Sequence, residues 1–186
     1  MPRLFVALPL APDVAREVSA LQRGLPDVRW TSEDDLHLTL RFVGEVDHPT
    51  FCEIGEALTN VSMAPFDLRL AGLGQFPPRG PLRQLWVGVE KNEALERLKR
   101  RVDRSLSGLD LPNDRRRFVP HVTIARFRGT PATARFGSWI AARSLFRGSA
   151  FPVSDFCLFS SRLRPEGAEH LIEARYDFVT GAMERV

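Results

Sequence analysis

The sequence predicts an α+β fold made of two similar lobes that face each other. One strand-like run contains the motif H-x-T at residues 37–39, and a second contains the same motif at residues 121–123, 84 residues later. A helix-like run precedes each motif strand, and a helix and two extended runs follow it. This order repeats once along the chain, and it differs from the pattern of a doubly wound parallel sheet.

The first half of the chain reads as strand, helix, strand, helix. Val14, Val18 and Leu21 recur at the spacing of one helical face, which predicts the first helix. Gly44 ends the second strand, and Pro49 fits the first turn of the second helix. The segments are RLFVALPL, PDVAREVSALQRGL, LHLTLRFVGEV and PTFCEIGEALTNV.

The second half reads as two strands, a helix, a strand, a helix and two closing strands. Its clearest helix begins after Asn92, a suitable N-cap, carries a stripe of apolar side chains and ends at Gly108. A loop, PPRGPLR, joins the first two strands. The segments are FDLRLAGLGQF, RQLWVGV, NEALERLKRRVDRSLSGL, RRFVPHVTIARF, PATARFGSWIAARSLF, FPVSDFCLFSSRL and HLIEARYDF.

Composition is that of an ordinary soluble protein, with 44% hydrophobic and 26% charged residues. A chain of 186 residues can bury a sufficient core without a disulfide or a metal, so residues 1–186 are predicted to form one domain of two interleaved lobes. Cys52 and Cys157 lie far apart, which favours free thiols and a cytoplasmic location, with a single disulfide as the alternative. No run approaches the ~20 apolar residues of a membrane span, so no membrane association is expected.

Positive charge is concentrated in residues 97–128, which hold ten basic and three acidic side chains, a local balance of +7. The net charge of the whole chain is +3, so the remainder carries −4. The cluster predicts either a solvated helix face with a basic loop or a surface that attracts a polyanion.

The two motifs are expected to form one site. Alternation along an extended strand places His37 and Thr39 on one face and an apolar row that ends at Phe42 on the other. His121 and Thr123 share a strand face in the same way. One H-x-T motif on a strand carries almost no information, but two motifs in matching contexts predict a shared active site.

These residue types suit displacement of an alcohol oxygen at phosphorus. Two imidazoles on opposite sides of a reacting centre can act as base and acid, while threonine hydroxyls donate hydrogen bonds to an oxyanion. Arg126 adds a positive fork that suits phosphate. Zinc catalysis usually needs three protein ligands, and His48 and Cys52 have no companions, so no metal and no cofactor is expected.

The chain resembles the 2H phosphoesterase superfamily, and within it the bacterial and archaeal RNA 2′,3′-cyclic phosphodiesterases, historically called 2′–5′ RNA ligases. The resemblance runs nearly from end to end. The segments that carry it are RLFVAL, Trp30, HLTLRFVGEV, GLGQFPPRGPLRQLWVGV, RFVPHVTIARF and FPVSDFCLFSSRLRPEG.

The resemblance implies a bilobal fold in which two antiparallel sheets line a central cleft. It implies hydrolysis of a terminal ribose 2′,3′-cyclic phosphate to a 2′-phosphate without a metal. Carried over to matching positions, His37 and His121 are the catalytic pair. The phosphate-binding residues would be Thr39, Thr123 and Arg126. We expect His37 to protonate the leaving O3′ and His121 to activate water.

Two substrate-binding candidates conflict with simple alternation. Arg126 stands five residues after His121 and should face away from the motif, so its predicted role requires a β-bulge or an early strand end. If neither occurs, Arg126 is structural. Phe42 stands at the same offset from His37, and it is predicted either to stack on a base or to lie in the core.

Two other side chains receive structural or secondary roles. Arg41 is predicted to share the face of His37 and Thr39, as an extra phosphate contact or an exposed charge. His170 occupies a place where the resemblance leads us to expect an aromatic residue such as tyrosine, and it is predicted to be a surface residue.

Two alternative functions are kept. The cleft could bind RNA or a nucleotide without turnover, or the main activity could be 2′–5′ ligation of RNA ends. The expected partners are RNA ends or nucleotides with a 2′,3′-cyclic phosphate. No obligate protein partner is expected, and the chain is predicted to be a monomer.

Overall fold

The computed structural model describes residues 2–79, 81–112, 117–127, 133–164 and 167–185. The strands are β1 (Arg3–Pro9), β2 (Val28–Trp30), β3 (His37–Glu45), β4 (Phe66–Phe76), β5 (Gln84–Val89), β6 (His121–Phe127), β7 (Arg147–Val153), β8 (Asp155–Arg164), β9 (Gly167–Asp177) and β10 (Met183–Arg185). The α-helices are α1 (Pro12–Ser19), α2 (His48–Leu58), α3 (Glu93–Ser105) and α4 (Thr133–Ala141), and a 3₁₀-helix spans Glu33–Asp35.

The described strands form one antiparallel sheet with a narrow waist. Its order is β10-β9-β8-β1-β3-β6-β5-β4-β7, and β2 pairs with β6 beside this path. The two halves are connected at β3 and β6 through a single residue pair, Leu38 opposite Val122. The predicted α+β class is confirmed, and the two predicted sheets are two halves of one sheet.

The helices connect the halves on the side of the main core. α1 follows β1 but packs against β7 in the opposite half, and α3 follows β5 but packs against β3. One continuous hydrophobic cluster extends from Phe156 and Tyr176 in one half to Leu70 and Phe151 in the other. Because each half contributes a helix to the other, neither half has a separate core.

The ends of the helices agree only partly with the sequence predictions. The predicted N-cap Asn92 is confirmed, because its side-chain oxygen accepts a hydrogen bond from the Leu95 N–H at 3.0 Å. Asp47 caps α2 in the same way through the Thr50 N–H. The first helix was predicted to reach Leu25, but α1 ends at Ser19.

Some strands differ from prediction. Sequence patterns missed the short strands β2 and β10, and they joined β7 and β8, which are separate strands on either side of Ser154. Both cysteines are free thiols, as predicted, and Cys157 is buried. No helix in the described part of the chain is long and apolar enough to cross a membrane.

Candidate active site

The waist of the sheet brings the two H-x-T motifs together. Leu38 and Val122 lie opposite each other and point into the main core. Their sequence neighbours therefore point to the other side of the sheet. His37, Thr39, His121 and Thr123 share that side, which we call the H-x-T face. The predicted convergence of the two motifs on one surface is what the strand register produces.

Both imidazoles are held by the same local hydrogen bond. His37 Nδ1 lies 2.7 Å from the carbonyl oxygen of Asp35, and His121 Nδ1 lies 2.7 Å from that of Val119. A carbonyl oxygen can only accept, so each Nδ1 carries a proton. The second nitrogen, Nε2, is then left for chemistry in both rings.

A β-bulge in β6 places Arg126 on the H-x-T face. Leu85 lies opposite Ala125 and Trp86 opposite Thr123, so Ile124 is an extra residue in β6. This extra residue restores Arg126 to the side that carries His121 and Thr123. The bulge required by the proposed role of Arg126 is present. The carbonyl of Ile124 accepts hydrogen bonds from the Thr31 N–H and from Gln22 Nε2.

A matching β-bulge in β3 changes the sheet face on which Phe42 and Arg41 lie. Val6 lies opposite Arg41 and Ala7 opposite Thr39, so Leu40 is the extra residue. Phe42 is therefore on the H-x-T face, 47% exposed, with its ring centroid 6.0 Å from that of Phe5. The interpretation of Phe42 as a core residue is wrong.

The predicted position of Arg41 is also wrong, because the bulge turns it to the core side of the sheet. There its guanidinium donates to the carbonyl of Pro112 at 3.0 Å and lies 3.6 Å from the Asp103 carboxylate on α3. Arg41 therefore connects β3 to α3 and has no contact with the motif side chains.

The protein environment favours the neutral form of both motif imidazoles. Burial lowers the pKa of His37 to about 4, and the like charges of His170 and Arg126 act in the same direction. Burial also lowers the pKa of His121, and Arg126 again contributes. Because Arg126 acts on both rings, its charge lies within reach of both motifs.

His170 belongs to this site, and its interpretation as a surface residue is wrong. Its ring centroid lies 5.0 Å from that of His37 in an edge-to-face arrangement, and its Nδ1 lies 3.3 Å from Asp35 Oδ1. Asp35 thus contacts both histidines, through its carbonyl and through its carboxylate. The β8–β9 register, with His170 opposite Ser161, brings this distant residue to the H-x-T face.

Aromatic side chains stand beside each catalytic candidate. Phe5 packs against His37 at 4.9 Å between ring centroids, and Phe76 meets His121 edge-to-face at 5.0 Å. The Trp86 ring lies next to both Phe76 and His121. It also covers Gly74, where a Cβ atom would overlap the indole ring.

Gln84 was not singled out from the sequence. Its Nε2 donates to Thr123 Oγ1 at 3.2 Å, and it lies opposite Arg126 across β5 and β6. Since this bond uses the acceptor capacity of the hydroxyl, the Thr123 proton is free to donate to a bound anion. Only the strand register could have identified Gln84 as a neighbour of the second motif.

The basic helix α3 does not lie on the H-x-T face. α3 packs on the core side of β3, and three of its basic side chains pair within the helix, Arg97 with Glu93, Arg100 with Glu96 and Lys99 with Asp103. These described residues favour the solvated-face interpretation of the basic stretch. Residues 113–116 of that stretch lie outside the described part of the chain.

Comparison with known proteins identifies relatives along most of the chain. A family model described as the 2′-5′ RNA ligase superfamily matches residues 10–164. A relative from Archaeoglobus fulgidus, named RNA 2′,3′-cyclic phosphodiesterase, is 32% identical over 169 residues, which cover 89% of this chain and 94% of that protein. A Geobacillus stearothermophilus relative of the same name is 39% identical over 128 residues.

The match to the Geobacillus protein covers 66% of this chain but only 41% of that protein, so this chain corresponds to less than half of its length. Among solved structures, the crystal structure of TT0787 from Thermus thermophilus superimposes with a TM-score of 0.76 at 28% identity. The superposition covers 95% of this chain and 97% of that chain.

Proposed function

Because this chain belongs to the 2′-5′ RNA ligase superfamily, we propose that it hydrolyses the terminal 2′,3′-cyclic phosphate of RNA to a 2′-phosphate by paired-histidine acid–base catalysis. The proposal depends above all on one observation. The single pair between Leu38 and Val122 puts both motifs on one sheet face. Curated relatives named RNA 2′,3′-cyclic phosphodiesterase support the substrate class.

In the proposed reaction, water attacks phosphorus and the bond from phosphorus to O3′ breaks. His121 Nε2 takes a proton from the water, and His37 Nε2 gives a proton to O3′. The products are a 2′-phosphate and a free 3′-hydroxyl, and proton exchange with solvent resets the two rings. Diagonal neighbours across an antiparallel pair lie roughly 7–8 Å apart, which leaves room for one phosphate group between the imidazoles.

We expect His37 to take up a proton from solvent when the substrate binds. The pKa of His37 is about 4, so the ring is neutral near pH 7. An anionic phosphate beside the ring raises this pKa by stabilising the imidazolium, and the nearby Asp35 acts in the same direction. Of the two motif rings, it is His37 whose pKa a described carboxylate, that of Asp35, raises, and we therefore assign His37 as the acid and His121 as the base.

The remaining predicted residues bind the substrate. Thr39 and Thr123 donate hydrogen bonds to the non-bridging phosphate oxygens, and Arg126 supplies positive charge to the same group. The exposed ring of Phe42 stacks on a nucleobase, as aromatic side chains commonly do in single-stranded RNA recognition. The chemistry needs no metal, since the two imidazoles supply the acid and the base.

The test is hydrolysis of an RNA ending in a 2′,3′-cyclic phosphate, measured in the presence of EDTA. His37→Ala and His121→Ala are each expected to lower kcat by roughly 10²–10⁴-fold, while His48→Ala, outside the H-x-T face, retains activity. Full activity in both motif variants contradicts the mechanism. Bound but unchanged RNA in a single turnover would favour a binding module, and excess 2′–5′ joined product would favour ligation.

A further inference from the structure

A second arginine stands beside Arg126 on the H-x-T face. In the antiparallel pairing of β2 with β6, Arg29 lies directly opposite Arg126. Side chains of directly opposite residues point to the same side of a sheet, and both of these are exposed. Within the described residues, no carboxylate forms an ion pair with either guanidinium.

This arrangement is unfavourable without an anion. Like charges directly opposite each other across two strands destabilise the pairing. The pKa of Arg126 is lowered by the partial burial of its guanidinium and by the charge of Arg29. In α3, by contrast, Arg97 and Arg100 each have a glutamate partner one helical turn away. Arg29 and Arg126 therefore place two adjacent positive charges beside the H-x-T motifs.

The two arginines stand at different distances from the imidazoles. Arg126 acts on the pKa of both His37 and His121. Arg29 lies opposite Arg126 on β2, which pairs with β6 at residues 125–127, at the end of the strand away from His121. An anion held by Arg29 is thus adjacent to, and separate from, the phosphate that lies between the two histidines.

We propose that Arg29 binds the phosphodiester that precedes the cyclic phosphate, so that the site favours the end of an RNA chain over a cyclic mononucleotide. This inference rests on the proposed function and specifies its substrate. The terminal phosphate lies between the histidines, with Arg126 beside it. The chain then continues along β2 and β6, where the preceding phosphate meets Arg29. A mononucleotide has no group that reaches this position.

The experiment compares Arg29→Gln with the native chain on two substrates, a short oligoribonucleotide ending in a 2′,3′-cyclic phosphate and a nucleoside 2′,3′-cyclic monophosphate. The variant should raise KM for the RNA roughly tenfold and change KM for the mononucleotide less than about twofold. The slope of log kcat/KM against log salt for the RNA should become shallower by about 0.7, the value for one single-strand phosphate contact. Arg29→Lys should retain most of the RNA preference.

The matched control is Arg97→Gln, an exposed arginine of α3 that should leave both substrates unaffected. Equal effects of Arg29→Gln on the two substrates, or no effect on the RNA, overturn the inference. Binding is measured separately by fluorescence anisotropy with an RNA ending in a 2′-phosphate, which is not turned over. If the native chain hydrolyses neither cyclic substrate, the proposed function fails, and weaker binding of this RNA by Arg29→Gln alone still supports the Arg29 contact.

Discussion

At each motif histidine, a main-chain carbonyl two residues upstream binds Nδ1 and leaves Nε2 as the ring nitrogen available for chemistry. The bond depends on the chain path before the strand and not on the identity of the upstream side chain. Asp35 and Val119 differ completely in chemistry, yet both supply the same acceptor. The upstream side chain can therefore vary, and in the first motif it supplies a carboxylate that holds a third histidine.

The lowered pKa of His37 predicts an acid-sensitive fold. The folded ring titrates at about 4, whereas an unfolded histidine titrates near 6.5. Between these values the unfolded chain binds a proton that the folded chain does not, so the free energy of unfolding falls as pH falls. The expected loss from this ring is about 3 kcal/mol between pH 6.5 and pH 4. Urea denaturation at a series of pH values measures it.

His37→Gln should show a shallower fall over that range, because the variant has no imidazole at this partly buried position. His48→Gln, at a histidine outside the site, serves as the control and should keep the native slope. Identical slopes for native protein and His37→Gln would contradict the link between burial of this ring and acid sensitivity.

Sequence reasoning located the motif side chains well and their neighbours less well. His37, Thr39, His121 and Thr123 follow from period-two alternation within three residues, a distance over which no bulge intervenes. Arg41 and Phe42 lie beyond the bulge, so alternation assigned each of them to the wrong face. His170 could not be placed at all, because the register of β8 and β9 is a long-range property.

At the scale of elements, the two motif strands share one construction. Each has an extra, buried residue three positions after its histidine, Leu40 in β3 and Ile124 in β6. Each bulge turns the fifth residue after the histidine back to the H-x-T face. The same bulge therefore exposes an aromatic ring, that of Phe42, in one half and a guanidinium, that of Arg126, in the other.

The β4–β5 pair predicts a position that accepts only glycine. Trp86 lies across Gly74, and a Cβ atom there would overlap the indole ring beside His121. Gly74→Ala is expected to lower the free energy of unfolding by about 1–3 kcal/mol, because the ring must move in a packed environment. The displaced ring should also lower kcat, since it borders the proposed base.

Gly137→Ala is the matched control for this substitution. Gly137 lies in α4 with open space around its Cβ position, so alanine there should be neutral or slightly stabilising. Chemical denaturation and steady-state kinetics measure both variants. Native stability and native kcat in Gly74→Ala would contradict the packing of Trp86 on this glycine.

At the scale of the molecule, the repeated H-x-T context was enough to predict two similar lobes, but it could not show how they are joined. The exchange of helices is invisible to local patterns, because α1 and α3 have ordinary amphipathic stripes whichever half they cover. Their packing on β7 and β3 gives the two halves one core. One residue pair between β3 and β6 is enough to join the two halves of the sheet, because the packing of α1 and α3 across the halves holds them together.

This architecture predicts that the chain unfolds as one cooperative unit. The three tryptophans lie on the β6 side of the waist, in β2, β5 and α4, and the single tyrosine, Tyr176, lies in β9 on the other side. Tryptophan fluorescence and tyrosine absorbance should therefore give coincident urea transitions. Leu98→Ala, at a fully buried position of α3, should shift both transitions equally, by about 2–5 kcal/mol. Arg97→Ala on the exposed face of α3 should shift neither, and separate midpoints for the two probes would show that each half folds alone.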